Sequence, residues 1–328
     1  MYIDLTNNNY LLHINAQTFD DVALAMFFYQ YGNNIIYKEF VNALRIHPED
    51  VKEVSQIPFL PISFFKTHKI ITGEKKTALV FESSGTTGEI PSRHYIGDSD
   101  LYKLSLLQGF QEFYGKPEDY MILALLPSYL ERSGSSLVHM VKVLMEVGGH
   151  KESSFYLNEF EKLHITIQEL ERKGQKTLLL GVTFALLDFA AQYHMQLQHT
   201  IVMETGGMKG RREEMTRTEV HEILKRQWQI PDINSEYGMT ELLSQAYSKK
   251  DGVFYAASTM KVMVRDMNDP LDIKKNGVGG INVIDLSNRD SCAFIATEDI
   301  GHLNLEGSFE VLGRMDHTAL RGCSLMTA

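Results

Sequence analysis

From residue 77 to residue 237, short apolar runs alternate with segments whose apolar residues recur at helical spacing. This alternation is typical of βαβ units and predicts a mainly parallel sheet flanked by helices. The apolar runs at 120–126, 177–182 and 200–204 predict buried strands. Helices are predicted at 158–172, 184–194 and 211–228. Another predicted helix carries one apolar face formed by Leu137, Met140, Val141, Leu144 and Met145.

The two ends of the chain show different patterns. Residues 19–45 have helical spacing, whereas Pro58 and Pro61 make the next segment extended, because proline disfavours helical geometry in its predecessor. After Tyr237 the helical patterns stop, and strands are predicted at 253–264, 280–285, 292–297 and 308–312. We therefore expect an α/β fold with a β-rich C-terminal portion. Its expected divisions are a helical segment packed on the core (1–76), the α/β core with its β-rich end (77–312) and a hinge-like motif with a tail (313–328).

Composition places the chain among folded globular proteins. It has 328 residues, of which 44% are hydrophobic, and its formal net charge of -10 opposes binding to nucleic-acid phosphates. The N-terminus lacks the basic-then-apolar order of a signal peptide, and no apolar run is long enough to span a membrane. The two cysteines, Cys292 and Cys323, are too few for a disulfide framework. We therefore expect a cytoplasmic protein with no transmembrane segment and no nucleic-acid partner.

A loop of small residues follows a short apolar strand that ends at Phe81 and Glu82. The loop consists of Ser83, Ser84, Gly85, Thr86, Thr87 and Gly88. Glycines permit close backbone approach, and successive N–H groups with Ser and Thr hydroxyls can surround phosphate oxygens. The spacing is not that of a Walker-type loop, since no lysine follows the final glycine. Taken alone, the loop is either a phosphate cradle or a polar surface turn.

The same loop resembles the phosphate-binding signature of the adenylate-forming superfamily, which includes acyl-CoA synthetases and phenylacetate-CoA ligase. That signature usually ends in Pro and Lys, whereas Arg93 is the candidate here to supply the positive charge. Gly206 and Gly207 lie where the family has a Gly-Gly loop, although a tight turn after a strand explains them equally well. Three further motifs follow in the family's order, namely Tyr237-Gly238-Met239-Thr240-Glu241, Thr297-Glu298-Asp299-Ile300-Gly301 and Gly313-Arg314-Met315-Asp316.

This resemblance implies ATP and Mg²⁺ as cofactors and assigns roles to the matching residues. It implies that Tyr237 stacks on adenine, with Gly238 and Thr240 beside it, and that Glu241 helps to hold Mg²⁺. Asp299 would accept hydrogen bonds from the ribose hydroxyls, in a motif where Glu298 replaces the usual glycine. The hinge motif would contain Arg314 and Asp316. Phosphate contacts would fall to Ser84, Thr86, Thr87 and Gly88. Without the resemblance, Tyr237 and Gly238 are merely a turn.

The C-terminal tail carries a second resemblance. Few residues follow Asp316, so the small C-terminal domain that supplies a catalytic lysine in this superfamily is expected to be absent. Arg93, Lys209 and Lys66 are the candidates to replace its charge. The tail and residues 59–66 resemble the acyl-protein synthetase (LuxE-type) family, in which a cysteine near the C-terminus receives the acyl group. That resemblance implies Cys323 as acyl acceptor; the alternative is an inert residue in a flexible tail.

The resulting prediction is ATP-dependent activation of a carboxylic acid, fatty in character, as an acyl-adenylate. Transfer of the acyl group to a protein cysteine would follow, with a reductase, a transferase or a carrier protein as the possible acceptor. Two alternatives stay open: ligation to coenzyme A or a carrier protein, or a non-catalytic nucleotide- or partner-binding relic. Cys292 is expected to be a buried packing residue. Weaker candidates for substrate contact are His94, Tyr129, Ser135 and His139.

Overall fold

A computed structural model describes residues 3–83, 90–127, 134–206 and 215–315. In these ranges the α-helices are α1 (Phe19–Asn33), α2 (Ile35–Ala43), α3 (Phe64–Thr67), α4 (Ser99–Tyr114), α5 (Ser136–Gly148), α6 (Phe160–Lys173), α7 (Thr183–Gln192) and α8 (Arg217–Trp228). The strands are β1 (Leu60–Pro61), β2 (Leu79–Glu82), β3 (Arg93–Ile96), β4 (Met121–Leu125), β5 (Ser154–Tyr156), β6 (Thr177–Val182), β7 (Thr200–Thr205), β8 (Asn234–Tyr237), β9 (Ala246–Ser248), β10 (Tyr255–Ala256), β11 (Met260–Arg265), β12 (Ile273–Lys274), β13 (Gly277–Asp285), β14 (Phe294–Leu303) and β15 (Phe309–Arg314).

The larger sheet contains seven of the described strands, in the order β10-β9-β8-β7-β6-β4-β5. Neighbours from β5 to β8 are parallel, and β9 and β10 add an antiparallel edge. Every residue of β4 and β6 is buried, because side chains from α4 to α8 join these strands in one hydrophobic cluster. The continuous apolar runs that predicted buried strands therefore reflect covering helices. This sheet confirms the predicted α/β core.

A second sheet accounts for the β-rich C-terminal portion. Among the described residues it has the order β1-β14-β13-β11-β12, with β15 also paired to β14. Residues from the N-terminal segment, including Phe27, Tyr37 and Phe65, share its hydrophobic cluster with Ile281 and Phe294. The ring of Tyr37 stacks on that of Phe294 with centroids 5.8 Å apart. The N-terminal segment is thus held mainly by late strands, and the chain divisions at residues 76 and 312 stay predictions.

The predicted helix over 19–45 is two helices that meet at Asn34. Asn34 has an extended backbone, with φ -117 and ψ 107, and is 1% exposed. Its side chain accepts a hydrogen bond from the backbone N of Tyr37 at 3.0 Å and donates to Thr72 Oγ1 at 3.1 Å and to the carbonyl of Ser291 at 2.9 Å. The helical pattern is confirmed, but it did not reveal the break at Asn34, where these long-range partners favour a capped break over continued helix.

Two other predicted boundaries differ from the structure. Residues 215–216 are not helical, and α8 begins after Thr216, whose side chain and that of Glu219 form a reciprocal capping box. The predicted strand over 253–264 is interrupted by a turn at 257–259, where Met260 N donates to the carbonyl of Ala257 at 2.8 Å. Strand β10 thereby joins the larger sheet, while β11 joins the second. No helix in the described parts of the chain is long and apolar enough to cross a membrane.

Candidate active site

The β2–β3 hairpin brackets the Gly-rich loop, whose residues Ser84 to Gly88 lie outside the described part of the chain. The hairpin holds the two ends of the loop together. Ser83 N donates to the carbonyl of Ser92 at 3.1 Å, and Ser92 N donates to Ser83 Oγ at 2.8 Å. Glu82 N also donates to the carbonyl of Gly134 at 2.8 Å. The described residues on either side of the segment that resembles a phosphate-binding signature are therefore fixed to each other by hydrogen bonds.

Arg93 lies on β3, at the exit of this loop. Its guanidinium Nε is 3.0 Å from Glu82 Oε1, and both side chains are about half exposed. The hydrogen bond and charge of Glu82 raise the pKa of Arg93. An exposed pair of this kind contributes little to stability, so its partner can be exchanged at small cost. The proposed role of Arg93 toward phosphate stays a prediction.

Three residues from the predicted motifs meet beside the end of β8. The hydroxyl of Tyr237 donates to Asp299 Oδ2 at 2.9 Å, and Arg314 Nε lies 3.5 Å from Asp299 Oδ1. The side chain of Arg314 is 84% exposed, whereas that of Asp299 is 12% exposed. A buried carboxylate is thus placed between a phenol and a guanidinium that reaches solvent. The sequence motifs, although far apart in the chain, form one polar group.

Burial sets the protonation behaviour of this group. It raises the pKa of Tyr237 well above its ordinary value, and the charge of Asp299 acts in the same direction. Burial also raises the pKa of Asp299, against the opposing charge of Arg314. The ring of Tyr237 packs edge-on against Phe309 and Phe254, with centroids 5.4 and 6.0 Å away. Tyr237 is therefore a neutral hydrogen-bond donor held on an aromatic support.

Glu241 is 5% exposed and lies next to the base of the Gly-rich loop. Burial raises the pKa of its carboxyl group, whereas a hydrogen bond from Ser92 and the charges of Arg314 and Lys66 oppose the rise. Its backbone carbonyl accepts a hydrogen bond from Asn288 Nδ2 at 2.8 Å. Glu241 is therefore fixed to Ser92, at the described base of the Gly-rich loop. Sequence reasoning did not single out Ser92.

His94, a weak candidate for substrate contact, is surrounded by protein groups. It is fully buried, and its Nδ1 lies 2.9 Å from the carbonyl oxygen of Thr240. Burial lowers the pKa of His94 to about 4. Its ring also packs edge-on against Phe65, with centroids 5.6 Å apart. His94 therefore ties β3, which follows the Gly-rich loop, to the backbone before Glu241.

The carboxyl end of β7 is shaped by buried polar contacts that the sequence did not reveal. Gly206 has a positive φ of 71, and its carbonyl accepts a hydrogen bond from Thr183 Oγ1 at 2.9 Å. The same hydroxyl lies 3.0 Å from Glu204 Oε2, and Arg217 Nε is 3.3 Å from Glu204 Oε1. Burial opposes ionisation of Glu204, but His221 and Arg217 outweigh it and lower its pKa. Gly207 lies outside the described residues.

The pKa of Glu236, which immediately precedes Tyr237, is shifted in the direction opposite to that of Glu204. Burial and the nearby charge of Glu204 raise its pKa to about 7, although Thr205 donates a hydrogen bond to it at 2.5 Å. A Cβ atom at Gly238 would lie 2.3 Å from Glu236 Oε1, so a side chain at that position would displace the Glu236 carboxylate. The only sequence signal for Glu236 was its place at a strand end next to a motif.

Of the two cysteines, the structure describes Cys292. Cys292 is fully buried, its Sγ donates to the carbonyl of Phe294 at 3.5 Å, and burial raises its pKa to about 12. It is the packing residue that was expected. The described residues do not include Cys323, Asp316, Lys209 and Tyr129.

Ser135 caps α5, accepting a hydrogen bond from Val138 N at 3.3 Å.

No group of three or more His, Cys, Asp or Glu side chains in the described ranges is arranged to hold a metal ion. A single buried carboxylate at Glu241 nevertheless fits Mg²⁺, which proteins often bind through one or two carboxylates together with substrate phosphates. A divalent cation would also favour the ionised form of a carboxyl group whose pKa burial has raised.

Comparison with known proteins identifies the fold. No family model matches the chain, and no curated protein matches it. The chain is similar to ATP-bound MatB from Rhodopseudomonas palustris, with 16% identity, a TM-score of 0.55, and coverage of 74% of this chain and 49% of that protein. It is also similar to a long-chain-fatty-acid-CoA ligase from Archaeoglobus fulgidus, with 15% identity, a TM-score of 0.55, and coverage of 76% and 54%.

A third similar structure is O-succinylbenzoate coenzyme A synthetase from Bacillus subtilis in complex with AMP, with 18% identity, a TM-score of 0.51, and coverage of 73% and 50%. The chain thus spans about half the length of the structures it matches. Its fold is that of the N-terminal domain of adenylate-forming enzymes. At these identities the likeness defines the architecture, and the chemistry has to be argued from the site.

Proposed function

We propose that this protein activates a carboxylic acid with ATP and passes the acyl group to a thiol. The carboxylate oxygen would bond to the α-phosphorus while the bond to pyrophosphate breaks. Attack of a thiolate on the acyl carbon would then release AMP. The observation that carries the proposal is the contact of Tyr237, Asp299 and Arg314 at the end of β8, in a fold of the adenylate-forming type.

The nucleoside contacts follow from the chemistry of these three residues. The aromatic face of Tyr237 suits adenine, and the carboxylate of Asp299 suits ribose hydroxyls, which donate hydrogen bonds. The exposed guanidinium of Arg314 can reach ribose or phosphate oxygens from the solvent side. Because Tyr237 already donates to Asp299, nucleotide and protein would share this carboxylate. The geometry therefore supports a nucleoside site between β8 and β14.

The phosphates would extend from that site toward the loop of Ser83 to Gly88. Its described base contacts Glu241 through Ser92, so Glu241 would be the residue that supplies a carboxylate oxygen to a Mg²⁺ ion bound with the phosphates. When bound, the ion would neutralise charge developing on the leaving pyrophosphate. His94 and Asn288 would keep Glu241 in place through the backbone.

The second half-reaction is proposed on the resemblance to acyl-protein synthetases. Cys323 would attack the acyl-adenylate, so that a thioester bond forms and the acyl–phosphate bond breaks. The acyl group would then pass to an acceptor protein of the reductase, transferase or carrier class. A fatty acid as substrate, the chain divisions at 76 and 312 and a cytoplasmic location belong to the same set of proposals.

Acid-dependent ATP–pyrophosphate exchange tests the first half-reaction. Wild-type protein is expected to exchange label when a suitable acid and Mg²⁺ are present, and Asp299→Ala is expected to lose at least about tenfold in kcat/KM for ATP. Asp269→Ala is the matched control, since Asp269 is exposed and lies between β11 and β12, at an edge of the second sheet, whereas β8 belongs to the larger sheet. Absence of exchange across fatty and aryl acids would refute adenylation.

Self-acylation tests the second half-reaction. Radiolabelled acid and ATP should label the wild-type protein covalently, in a form that hydroxylamine releases as a thioester would. Cys323→Ala should abolish this label, whereas Cys292→Ala should retain it, because Cys292 is buried and its raised pKa keeps it a thiol. Persistent label in Cys323→Ala would reject Cys323 as acceptor. Transfer to coenzyme A in its place would favour the alternative ligase.

A further inference from the structure

Three polar side chains lie on one face of the larger sheet where β8 and β9 pair. Glu236 on β8 stands directly opposite Tyr247 on β9 in the antiparallel register. Gln245 immediately precedes β9, two residues before Tyr247. A Cβ atom at Gly238 would be 2.3 Å from Glu236 Oε1 and 3.7 Å from Gln245 Cγ, which shows that both side chains flank this glycine.

Two of these side chains carry buried polar atoms that have no hydrogen-bond partner in the described residues. They are the hydroxyl of Tyr247, which is 1% exposed, and the side-chain carbonyl of Gln245, which is 5% exposed. The Gln245 amide nitrogen is satisfied by the carbonyl of Leu243 at 3.1 Å. An unpartnered buried polar atom is costly, and native structures tolerate it mainly where a ligand or water supplies the partner.

The surroundings of Glu236 are rich in acceptors and phenols. Thr205 donates to it, Glu204 repels its charge, and its own charge raises the pKa of Tyr247. Its charge also acts on two tyrosines of α4, Tyr102 and Tyr114. No Lys or Arg of the described residues is among the groups that shift the pKa of Glu236. A ligand that brings a hydrogen-bond donor would supply what this cluster lacks.

The cluster is also next to the proposed reaction site. Glu236 immediately precedes Tyr237, and its partner Thr205 ends the neighbouring strand β7, so all three lie at the carboxyl edge of the parallel strands. Ligands of open α/β sheets gather at this edge. The side chains of Glu236 and Tyr237 point to opposite faces of the sheet, because successive residues of a strand alternate. A nucleoside against Tyr237 would leave the Glu236 face free for the acid.

We propose that Glu236, Gln245 and Tyr247 form a specificity site for a hydrogen-bond donor, a hydroxyl or an ammonium group, on the body of the acid substrate. This inference rests on the proposed acid activation. It departs from a plain fatty acid, because an alkyl chain would leave the hydroxyl of Tyr247 and the side-chain carbonyl of Gln245 without partners and would bring no donor to Glu236. Sites built to bind a polar group reject analogues that lack it far more strongly than apolar pockets reject a surplus group.

Matched acids in the exchange assay test this inference. The panel consists of hexanoate with its ω-hydroxy and ω-amino derivatives, and cinnamate with its para-hydroxy and para-amino derivatives. For at least one of the two series, a donor-bearing acid is expected to exceed its parent acid by about tenfold or more in kcat/KM. The hydroxy and amino members show which donor the site prefers. The inference would be overturned if, in both series, the parent acid had the same kcat/KM as its derivatives.

Two variants assign the preference to these residues. Glu236→Leu removes the acceptor, and Tyr247→Phe removes only a hydroxyl that has no partner, so the latter should fold as wild type does. In both, the ratio of kcat/KM between the donor-bearing acid and its parent acid is expected to fall most of the way to one. Glu152→Gln is the control, since Glu152 is exposed and precedes β5 at the opposite edge of the sheet. A preference unchanged in Tyr247→Phe and Glu236→Leu would also overturn the inference.

Failure of the proposed function gives a different result. If no acid supports exchange in the wild type, acid activation is refuted, and titration calorimetry with the same six acids decides the inference directly. Tighter binding of the donor-bearing acids by about tenfold, lost in both variants, would sustain the donor site. Equal binding of parent and derivative would reject it.

Discussion

Replacing Glu236 by Gln should stabilise the protein at alkaline pH and change its stability little at pH 5. Burial and the charge of Glu204 raise the pKa of this carboxyl from 4.5 to about 7. The unfolded chain therefore loses the proton near pH 4.5 while the folded protein retains it, and the free energy of unfolding falls as pH rises between these values. At about 1.4 kcal/mol per pKa unit, the ionised carboxylate costs about 3 kcal/mol above pH 7. Gln keeps the size and can still accept the hydrogen bond from Thr205.

Urea unfolding measured by tryptophan fluorescence provides the assay. The chain has one tryptophan, Trp228, which is fully buried in α8 and reports on the core around the larger sheet. Unfolding free energies of wild type and Glu236→Gln are compared at pH 5, 6, 7 and 8. The variant should gain progressively and reach about 3 kcal/mol at pH 8. Comparison with wild type at each pH cancels the titration of His94, whose pKa is also shifted.

Glu204→Gln is the contrasting variant on the neighbouring strand. The pKa of Glu204 is lowered, because its contacts with His221 and Arg217 outweigh its burial. Removing its charge leaves Arg217 without its carboxylate and should destabilise the protein by about 3 kcal/mol near pH 7. Opposite signs for two glutamates on paired strands would be hard to explain by general perturbation. If Glu236→Gln gains the same amount at pH 5 as at pH 8, or gains nothing, the reasoning about Glu236 is wrong.

Two further predictions concern stability. Thr216→Ala should cost about 1 kcal/mol, because it removes the side chain that caps α8 together with Glu219; an unchanged urea midpoint would show that the capping box contributes nothing. His94→Asn should flatten the acid side of the stability profile, since burial lowers the pKa of His94 to about 4 and wild type therefore loses about 2 kcal/mol between pH 6.5 and 5. Equal losses in His94→Asn and wild type over that interval would contradict the assigned burial.

Local periodicity was sufficient for the elements whose cause is local. Strands β4, β6 and β7 follow continuous apolar runs that helices cover on the sheet, and such runs are visible in the sequence. The resemblance of motifs likewise selected Tyr237, Asp299 and Arg314, which the structure brings into contact. Their roles toward a nucleotide stay predictions, because contact among three residues does not by itself identify what they bind.

The features that sequence reasoning missed depend on distant partners. The helix break at Asn34 is stabilised by the carbonyl of Ser291, more than two hundred and fifty residues away in the chain. The raised pKa of Glu236 requires the register that sets β7 beside β8, with Thr205 opposite Glu236. Neither the register of paired strands nor capping by a distant residue produces a periodic pattern in the sequence. Both residues looked like ordinary polar positions for that reason.

The pairing of early and late segments has a consequence for synthesis of the chain. The hydroxyl of Tyr10 donates to the carbonyl of Leu286 at 2.6 Å, across 276 positions, and β1 is paired along β14. Helices α1 and α2 emerge from the ribosome well before the strands that cover their apolar faces. At ordinary translation rates the N-terminal segment waits some tens of seconds for its partner strands. Throughout that interval Phe27 and Tyr37 lack the late-strand residues against which they are buried in the folded protein, and exposed apolar surface of this kind favours aggregation during synthesis.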